Sequence, residues 1–369
     1  MSRDFQSLLP LSRQRIDRDD SSRKNADALR SLWAHPDSRI VLLRGGRALA
    51  TPDEHPTVAM LTADELPAGS GDPLAADGST LYLGRALAGP GPITEGSPLW
   101  AVFVPEEPAP TPGPTPTPTP TPAPTPTPAP TPGPTPTPAA AAPVGTTTRP
   151  APVPARRTAA DGTVWLDLRM SATELDDLEA GLFTEALAVG NWHRTHTHCP
   201  RCGAPTTVEA GGWVRRCTVQ GIELFPRTDA AVIVGVVDDQ ERLLLGSNAL
   251  WENNRYSLLA GFVEPGESLE AAAVREIGEE SGVVIDDPEY VGSQPWPFPA
   301  SLMVGFLARV APGGAALERP DGQEILDLRW VTRDEIAAGD HGILFPGRSS
   351  IARAIIERWY GAPLPDPGF

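Results

Sequence analysis

Cysteine is scarce in this chain of 369 residues, which contains only three. Three closely spaced cysteines indicate metal or thiol chemistry rather than a disulfide framework. No stretch of the sequence reaches the ~18 consecutive apolar residues of a membrane-spanning helix, so no membrane partner is expected. The first residues are too charged for a secretory signal, and the cytoplasm is therefore the expected compartment.

Basic residues are also in short supply, with 30 Lys and Arg against 47 Asp and Glu. The resulting net charge of −17 argues against broad nucleic-acid binding, because an acidic surface does not attract a phosphate backbone without local compensation. The net charge does not exclude binding of a small phosphorylated ligand, since a bound divalent metal can supply positive charge locally.

Proline, by contrast, is abundant, and its excess is local. Residues 105–157 hold 21 of the 44 prolines, and every even-numbered residue from Pro108 to Pro138 is proline. Such a run can form neither a helix nor a sheet ladder, and it predicts an extended rod of ~3.1 Å per residue. A spacer is favoured over a peptide ligand, because no PxxP sequence with flanking basic residues is present.

The segments around the insert predict one N-terminal domain. Residues 80–85 and 99–104 have the composition of strands before it, and residues 163–169 that of a strand after it. An apolar stripe at helical spacing then predicts a helix from Ser171 to about Trp192. The rod is therefore expected to emerge from a loop within an α+β domain.

The remainder of the chain predicts two further parts. A small zinc-ribbon-like segment contains the cysteines, and the strand and helix signals that follow it alternate, which indicates an α/β domain with a mixed sheet. Strands are predicted over 230–237 and 242–246, with a closing helix near Ser349–Tyr360. The predicted domains are 1–192, which includes the 105–157 insert, then 193–226, then 227–369.

A helix with clear ends carries the strongest chemical signal. Ser268 follows a glycine-containing loop and is a good N-cap, Leu269–Ser281 has helical composition, and Gly282 ends the helix. On this helix three glutamates stand at i, i+3 and i+4, so their carboxylates share one face. They are Glu276, Glu279 and Glu280.

Carboxylates on one helix face repel each other unless a cation lies between them. Mg²⁺ or Mn²⁺ prefers such hard oxygen ligands, and the bound ion then bridges to substrate phosphates. The alternative is a solvated acidic face. The spacing Gly-x5-Glu-x7-Arg-Glu-Ile-x-Glu-Glu-x-Gly-Val, from Gly261 to Val283, resembles the full Nudix box and favours the metal site. The resemblance implies an α/β/α sandwich that hydrolyses a nucleoside diphosphate linked to another moiety.

A second segment, Ser293-Gln-Pro-Trp-Pro-Phe-Pro-Ala-Ser301, follows the box. Its alternating prolines predict a rigid loop that presents two aromatic rings for stacking, although composition alone favours a loop packed on the core. The segment resembles the signature of the NADH pyrophosphatase family, which also removes NAD caps from RNA. That resemblance implies a homodimer and a substrate-binding set made of Gln294, Pro295, Trp296, Pro297, Phe298, Pro299, Ala300 and Ser301.

The resemblance also implies roles for single residues elsewhere in the chain. The metal-binding backbone carbonyl of the family falls on Ala260, and a further acidic ligand falls on Glu324. Ala352 matches a substrate-contacting alanine. Phe225 stands where the family often has Tyr, so stacking is kept and a hydroxyl contact is lost. Gly212 stands where some relatives have a substrate-contacting Glu.

The cysteines match the family only in part. Zinc favours four thiolate or imidazole ligands, and the family pattern has a fourth Cys where this chain has Gln220, a poor zinc ligand. His196 or His198 is a candidate fourth ligand, and a metal-free segment is the alternative. The three cysteines are Cys199, Cys202 and Cys217.

The sequence thus predicts metal-dependent hydrolysis of the pyrophosphate of NADH or NAD⁺ to nicotinamide mononucleotide and AMP. Resemblance marks Glu280 as the residue most needed for catalysis, and Arg275 is expected to pair with a box carboxylate such as Glu267. Removal of an NAD cap from RNA, by the same cleavage, is a second hypothesis. A catalytically inactive nucleotide-binding module is a third, and a broad housecleaning Nudix enzyme is disfavoured by the proline-aromatic segment.

Overall fold

The structure, a computed structural model, describes residues 5–51, 55, 57–106, 156–158, 163–251, 254–314, 318–339 and 342–365. The rod predicted over 105–157 lies, apart from its ends, outside the described residues. Outside 106–153 the chain packs as one unit. Among the described helices, none has the length and apolar character needed to cross a membrane.

The N-terminal part is built on an eight-stranded sheet. Its strand order is β1-β5-β6-β2-β3-β8-β7, with β4 paired to β2. The β2–β6 pair is parallel and the other pairs are antiparallel. The strands are β1 (Ile16–Asp17), β2 (Arg39–Arg44), β3 (Arg47–Leu49), β4 (Met60–Leu61), β5 (Thr80–Ala86), β6 (Pro98–Val104), β7 (Arg156–Thr158) and β8 (Val164–Asp167).

Four helices accompany this sheet: α1 (Asp20–Arg23), α2 (Ala26–Trp33), α3 (Leu168–Ser171) and α4 (Asp177–Thr195). Strands β6 and β8, which lie on either side of the proline-rich insert, belong to one sheet. That the insert interrupts a single N-terminal domain stays a prediction.

The helix predicted from Ser171 to Trp192 is wrong at both ends. Asp176 supplies the true start of α4, because its Oδ1 accepts hydrogen bonds from the amides of Leu178 and Glu179 at 2.8 Å each. This capping box leaves a break after α3, and the helix continues to Thr195. The preceding strand is correspondingly shorter than predicted and ends at Asp167.

The cysteine-containing segment forms a separate three-stranded antiparallel sheet in the order β11-β10-β9. Its strands are β9 (Thr206–Glu209), β10 (Val214–Cys217) and β11 (Glu223–Leu224). A short 3-10 turn over Ala210–Gly212 joins the first two.

The C-terminal part is a six-stranded mixed sheet in the order β15-β16-β12-β13-β17, with β14 paired to β12. The β12–β16 pair is parallel. The strands are β12 (Asp229–Val237), β13 (Leu243–Asn248), β14 (Leu259–Phe262), β15 (Ile285–Trp296), β16 (Ser301–Val310) and β17 (Ile325–Val331). The helices are α5 (Leu269–Ser281), α6 (Arg333–Ala338) and α7 (Ile351–Tyr360).

Alternation along β12 places helices on both faces of this sheet. Val232 and Val234 are buried in one core with Ile277 of α5, whereas Ile233 is buried in a second core with Ile355 of α7. Successive side chains of a strand point to opposite faces, so the two cores lie on opposite sides of β12. The predicted α/β/α sandwich with a mixed sheet is therefore confirmed. The strands of the described residues form three sheets, and the three predicted domains with their boundaries stay a prediction.

The proline-aromatic segment is a hairpin rather than the predicted loop. Strand β15 extends to Trp296, and Pro295 is tolerated within it because β15 is the edge strand of the sheet. The turn that follows is held by α4, since Asn191 Nδ2 donates to the carbonyls of Pro297 and Pro299 at 2.9 and 3.0 Å. The N-terminal part thus positions the hairpin of the C-terminal part.

Candidate active site

Helix α5 has the predicted bounds and ends. The Ser268 hydroxyl accepts a hydrogen bond from the Ala271 amide at 3.2 Å, and Gly282 has a φ of 68°, a left-handed conformation that favours glycine. Ala273 and Ile277 are buried in the core beneath the helix. Their burial fixes the rotation of α5.

The first carboxylate of the helix is packed against the strand that precedes it. A Cβ added at Gly261 would lie 2.0 Å from Glu276 Cδ, so only glycine leaves room for this carboxylate. The side chain of Glu276 is 13% exposed. Burial raises its pKa, and the neighbouring Arg275 opposes that rise.

Arg275 joins three of the box carboxylates. It binds Glu267 through two hydrogen bonds, Nη2 to Oε1 at 2.5 Å and Nε to Oε2 at 3.1 Å, as predicted. Its Nη1 also donates to Glu276 at 2.9 Å and to Glu279 at 3.0 Å, the latter an exposed carboxylate. Arg275 therefore compensates much of the negative charge at this end of α5.

Glu280 has no such compensation. The residue is only 5% exposed, and its Oε2 has no hydrogen-bond partner among the described residues. Burial, and then the charges of Glu324, Glu276 and Asp321, raise the pKa of Glu280 to about 8. A buried carboxylate facing other carboxylates is an unfavourable arrangement unless a cation is bound.

A cleft of about 220 Å³ lies in front of Glu280. Five of the sequence-predicted residues line it, although they come from four different strands or helices and a loop: Ala260, Glu280, Trp296, Glu324 and Ala352. The other predicted residues are not part of its lining: Phe225, Glu276, Glu279, Gln294, Pro295, Pro297, Phe298, Pro299, Ala300 and Ser301.

Three of these other residues have different surroundings. Gln294 is fully buried and donates to the Ser349 carbonyl at 2.9 Å. Phe298 packs edge-on against Trp296, with ring centroids 5.0 Å apart, and lies under the Arg169 guanidinium at 4.4 Å. Phe225 is 62% exposed. Within one chain, Trp296 is the only member of the proline-aromatic set that lines the cleft.

Sequence reasoning missed residues beside Glu324 at the end of β13 and on two loops. Trp251 and Asn248 line the cleft, and Asn248 Nδ2 lies 3.4 Å from Glu324 Oε1. Asp321 Oδ1 accepts hydrogen bonds from the amides of residues 323, 324 and 325, which orients the loop that carries Glu324. The Asp321-Gly322 pair is a turn signal that could have indicated this loop, whereas no motif indicated Trp251.

The three cysteines converge at one end of the small sheet. The sulfur atoms of Cys199, Cys202 and Cys217 lie within 4.8 Å of one another, close enough to share one metal ion. Gln220 Oε1 lies 4.0 Å from Cys199 Sγ. Neither histidine proposed as a fourth ligand joins this cluster.

Family comparisons agree with this architecture. The Nudix domain matches residues 226–350, and the NADH pyrophosphatase zinc ribbon domain matches residues 194–223. The fold and the site thus define a Nudix hydrolase with a zinc-ribbon-type domain.

Curated relatives define the family more closely. The NAD-capped RNA hydrolase NudC of Stutzerimonas stutzeri is 39% identical over 206 residues, which cover 56% of this chain and 71% of the relative. The NudC of Mycobacterium bovis is 46% identical over 204 residues, 53% of this chain and 64% of the relative's length. The chain belongs to this NADH pyrophosphatase and NAD-capped RNA hydrolase family. A Nudix hydrolase structure from Nitrosomonas europaea is 24% identical, with a TM-score of 0.35, and covers 46% of this chain and 95% of its own.

The Nudix family implies a divalent cation, and the residues of this cleft fit one. Glu280 presents a buried carboxylate oxygen that lacks a partner among the described residues, and Glu276 and Glu324 add negative charge beside it. Oxygen ligands of this kind suit hard divalent cations. Gly261 provides the space that keeps the Glu276 carboxylate close to this group.

The raised pKa predicts a pH-dependent stability for the protein without divalent cation. The folded chain binds an extra proton at Glu280 between its usual pKa of 4.5 and about 8, so stability falls as pH rises through this window. The slope due to this group approaches ~1.4 kcal/mol per pH unit. Urea unfolding from pH 5 to 9, without added divalent cations, should show a smaller fall in Glu280→Gln than in the parent. Equal slopes in the two proteins would contradict the assignment.

Proposed function

We propose that this cleft hydrolyses the pyrophosphate of NADH or NAD⁺ to nicotinamide mononucleotide and AMP. A water oxygen forms a new bond to one phosphorus atom, the bridging P–O bond breaks, and the water protons leave to the base and the solvent. The observation that carries this proposal is the buried, uncompensated Glu280 carboxylate beside Glu324, in the same cleft as an aromatic ring, Trp296.

The proposed ligands of Mg²⁺ or Mn²⁺ are Glu276, Glu279, Glu280, Glu324 and the Ala260 carbonyl. A divalent cation bound there neutralises phosphate charge and lowers the pKa of an attacking water. Arg275 restrains Glu276 and Glu279 through its bonds at 2.9 and 3.0 Å, which limits their rearrangement during turnover. Of these side chains only Glu280 is both deeply buried and free of Arg275, so it is the proposed proton acceptor.

Glu280→Gln should abolish divalent-cation-dependent AMP release from NADH, with a loss of at least about 100-fold in kcat. The amide keeps the shape of the side chain but can neither accept the proton nor contribute charge. Chromatography of the products measures the loss. Glu289→Gln, at an exposed glutamate of β15, is the matched control and should retain full activity. Near-parent turnover by the Glu280→Gln protein would refute the proposed role.

Removal of the NAD cap from RNA is the second candidate, and the names of the curated relatives favour it. The bond broken is the same, so the two activities differ only in what lies beyond the adenosine. Rates on free NADH and on NAD-capped RNA, compared at equal concentration, separate the two. A purified parent protein that turns over neither substrate would support the inactive nucleotide-binding module.

We also propose that the working enzyme is a homodimer. The cleft of about 220 Å³ is smaller than the ~300–1,000 Å³ usual for small-molecule sites, and a dinucleotide exceeds it. Phe225, 62% exposed, is an aromatic side chain outside the cleft of its own chain. In the proposed dimer, a second copy supplies such rings to the half of the substrate that extends beyond the cleft.

Trp251 is proposed as a further substrate contact. It lines the cleft with Trp296 and is 41% exposed, so its ring has a free surface for a base. Because base stacking on an aromatic ring contributes about 1–3 kcal/mol, Trp251→Ala should raise the KM for NADH by roughly 5- to 100-fold. Trp251→Phe should restore most of the affinity, and steady-state kinetics measure both. An unchanged KM in the alanine variant would remove Trp251 from the site.

The cysteine cluster is proposed to hold a structural zinc ion. Sulfur atoms on one zinc ion lie about 3.8 Å apart in tetrahedral geometry, and Cys202 Sγ lies 3.5 Å from Cys217 Sγ. Gln220 is the proposed fourth donor in place of the fourth cysteine of the family, because its Oε1 lies beside Cys199.

Metal analysis of the purified protein should find about one zinc per chain, and Cys202→Ser should lose it. Gln220→Cys should hold zinc more tightly, since it completes a four-thiolate site. A colorimetric zinc chelator measures the release rates of the parent and the Gln220→Cys protein. Absence of zinc from the parent, together with its presence in Gln220→Cys, would show that the glutamine disables the site.

A further inference from the structure

The cleft at Glu280 offers a dinucleotide two acidic side chains but no basic one. Among the described residues that line it, the charged side chains are Glu280 and Glu324. The pyrophosphate of the proposed substrate is also negative, and a divalent cation can contact only some of its oxygens. The remaining oxygens lose water when the substrate enters the cleft, so they need hydrogen-bond donors there. The lining supplies such donors from neutral side chains: Asn248, Trp251, Ser257, Trp296 and Ser350.

Asn248 is the only amide side chain in this set, and its orientation is fixed. Its Oδ1 accepts a hydrogen bond from the Leu250 backbone amide at 2.9 Å. Because a backbone N–H can pair only with the oxygen of the side chain, Nδ2 lies on the other side, 3.4 Å from Glu324 Oε1. The nitrogen is therefore turned toward a carboxylate that itself lines the cleft.

The contact with Glu324 does not exhaust the donors of Asn248. A primary amide nitrogen carries two hydrogens, and this contact uses at most one of them. At 3.4 Å the contact is also long compared with the usual range of about 2.7–3.2 Å for N–H···O hydrogen bonds. Asn248 is partly exposed, so a ligand in the cleft can accept from its nitrogen.

A bulge in the sheet brings Asn248 and Glu324 together. The register of β13 against β17 shifts after Ser247, so Asn248 pairs with Ile325 and β17 carries one extra residue. The Ala249 amide then donates to the Glu324 carbonyl at 2.8 Å. With regular pairing, Glu324 would lie one residue farther along the strand. Bulges beside active sites commonly redirect side chains in this way.

We propose that Asn248 is a further catalytic residue, whose Nδ2 donates a hydrogen bond to a phosphate oxygen of the substrate. The proposal rests on the pyrophosphate hydrolysis proposed above. Charge shifts among the phosphate oxygens as the P–O bond breaks, so a donor that is already fixed in place stabilises the transition state more than the bound substrate. Asn248 transfers no proton, and the bonds that form and break are those of the hydrolysis itself.

Two variants of the full-length chain test this role, with NADH as the substrate and Mn²⁺ as the cation. Asn248→Ala removes the side chain, whereas Asn248→Asp keeps an oxygen for the Leu250 amide but has no N–H to donate. Both should lower kcat for AMP release by about 10- to 100-fold, with KM changed by less than about threefold.

Binding of Mn²⁺ separates a substrate contact from mere support of Glu324. In equilibrium dialysis without substrate, Asn248→Ala should bind Mn²⁺ within about twofold of the parent affinity. Asn248→Asp should bind it at least as tightly as the parent, because it adds a negative charge beside Glu324. The expected signature is thus a fall in turnover without a fall in Mn²⁺ affinity, whereas a residue that only supports Glu324 would lower both together.

Asn254→Asp is the matched control, since it makes the same substitution at an exposed asparagine that is not part of the cleft lining. It should keep the kcat and the Mn²⁺ affinity of the parent. Urea unfolding checks that each variant is folded. If Asn248→Ala does not fold, Asn248→Asp decides the question, because it keeps the hydrogen bond from the Leu250 amide.

Two results would overturn this role in a parent protein that hydrolyses NADH. The first is a kcat of Asn248→Asp within about threefold of the parent value. The second is a loss of Mn²⁺ affinity, in either variant, that matches its loss of kcat, which would make Asn248 a support for Glu324 only. A parent protein that releases no AMP from NADH would overturn the proposed function as well, so the parent alone tells the two failures apart.

Discussion

Repulsion between carboxylates at one end of α5 is the constraint that organises this molecule. Arg275 compensates Glu267 and its two neighbours on the helix, but it does not reach Glu280, which is buried with an oxygen that lacks a partner among the described residues. The surrounding sheet must therefore hold an arrangement that is unfavourable by itself. The two cores on either side of β12 keep the sheet and α5 rigid. The negative field of the carboxylates held in this way attracts a divalent cation.

The cleft at Glu280 also depends on the N-terminal part of the chain. Asn191 of α4 binds two carbonyls of the hairpin turn that follows Trp296, and the Ser12 hydroxyl binds the Ser293 carbonyl at 2.8 Å on the strand before it. These bonds orient the one aromatic ring of the proline-aromatic segment that lines the cleft. The N-terminal domain thus acts as a positioning support for a site to which it contributes no predicted carboxylate.

The small three-stranded sheet has two roles in the same unit. At one end its three cysteine sulfur atoms lie within 4.8 Å of one another, and along its length it contributes Val208 and Val214 to a cleft of about 430 Å³. Trp213, beside the sheet, carries the Arg23 guanidinium on its face.

The local sequence determined the helix ends and the contacts between residues that lie close together along the chain. The limits of α5 follow from Ser268 and Gly282, and the contact of Arg275 with Glu267 is expected from the Nudix box to which both belong. Tertiary structure decided what depends on distant partners. The buried Gln294 donates a hydrogen bond to the carbonyl of Ser349, 55 residues away, and Trp251 reaches the cleft through loop packing that no motif encodes. The periodicity of apolar residues and the capping of helices depend on residues that are close in sequence. The burial of a side chain and the convergence of side chains on the cleft are set only once the sheets have packed.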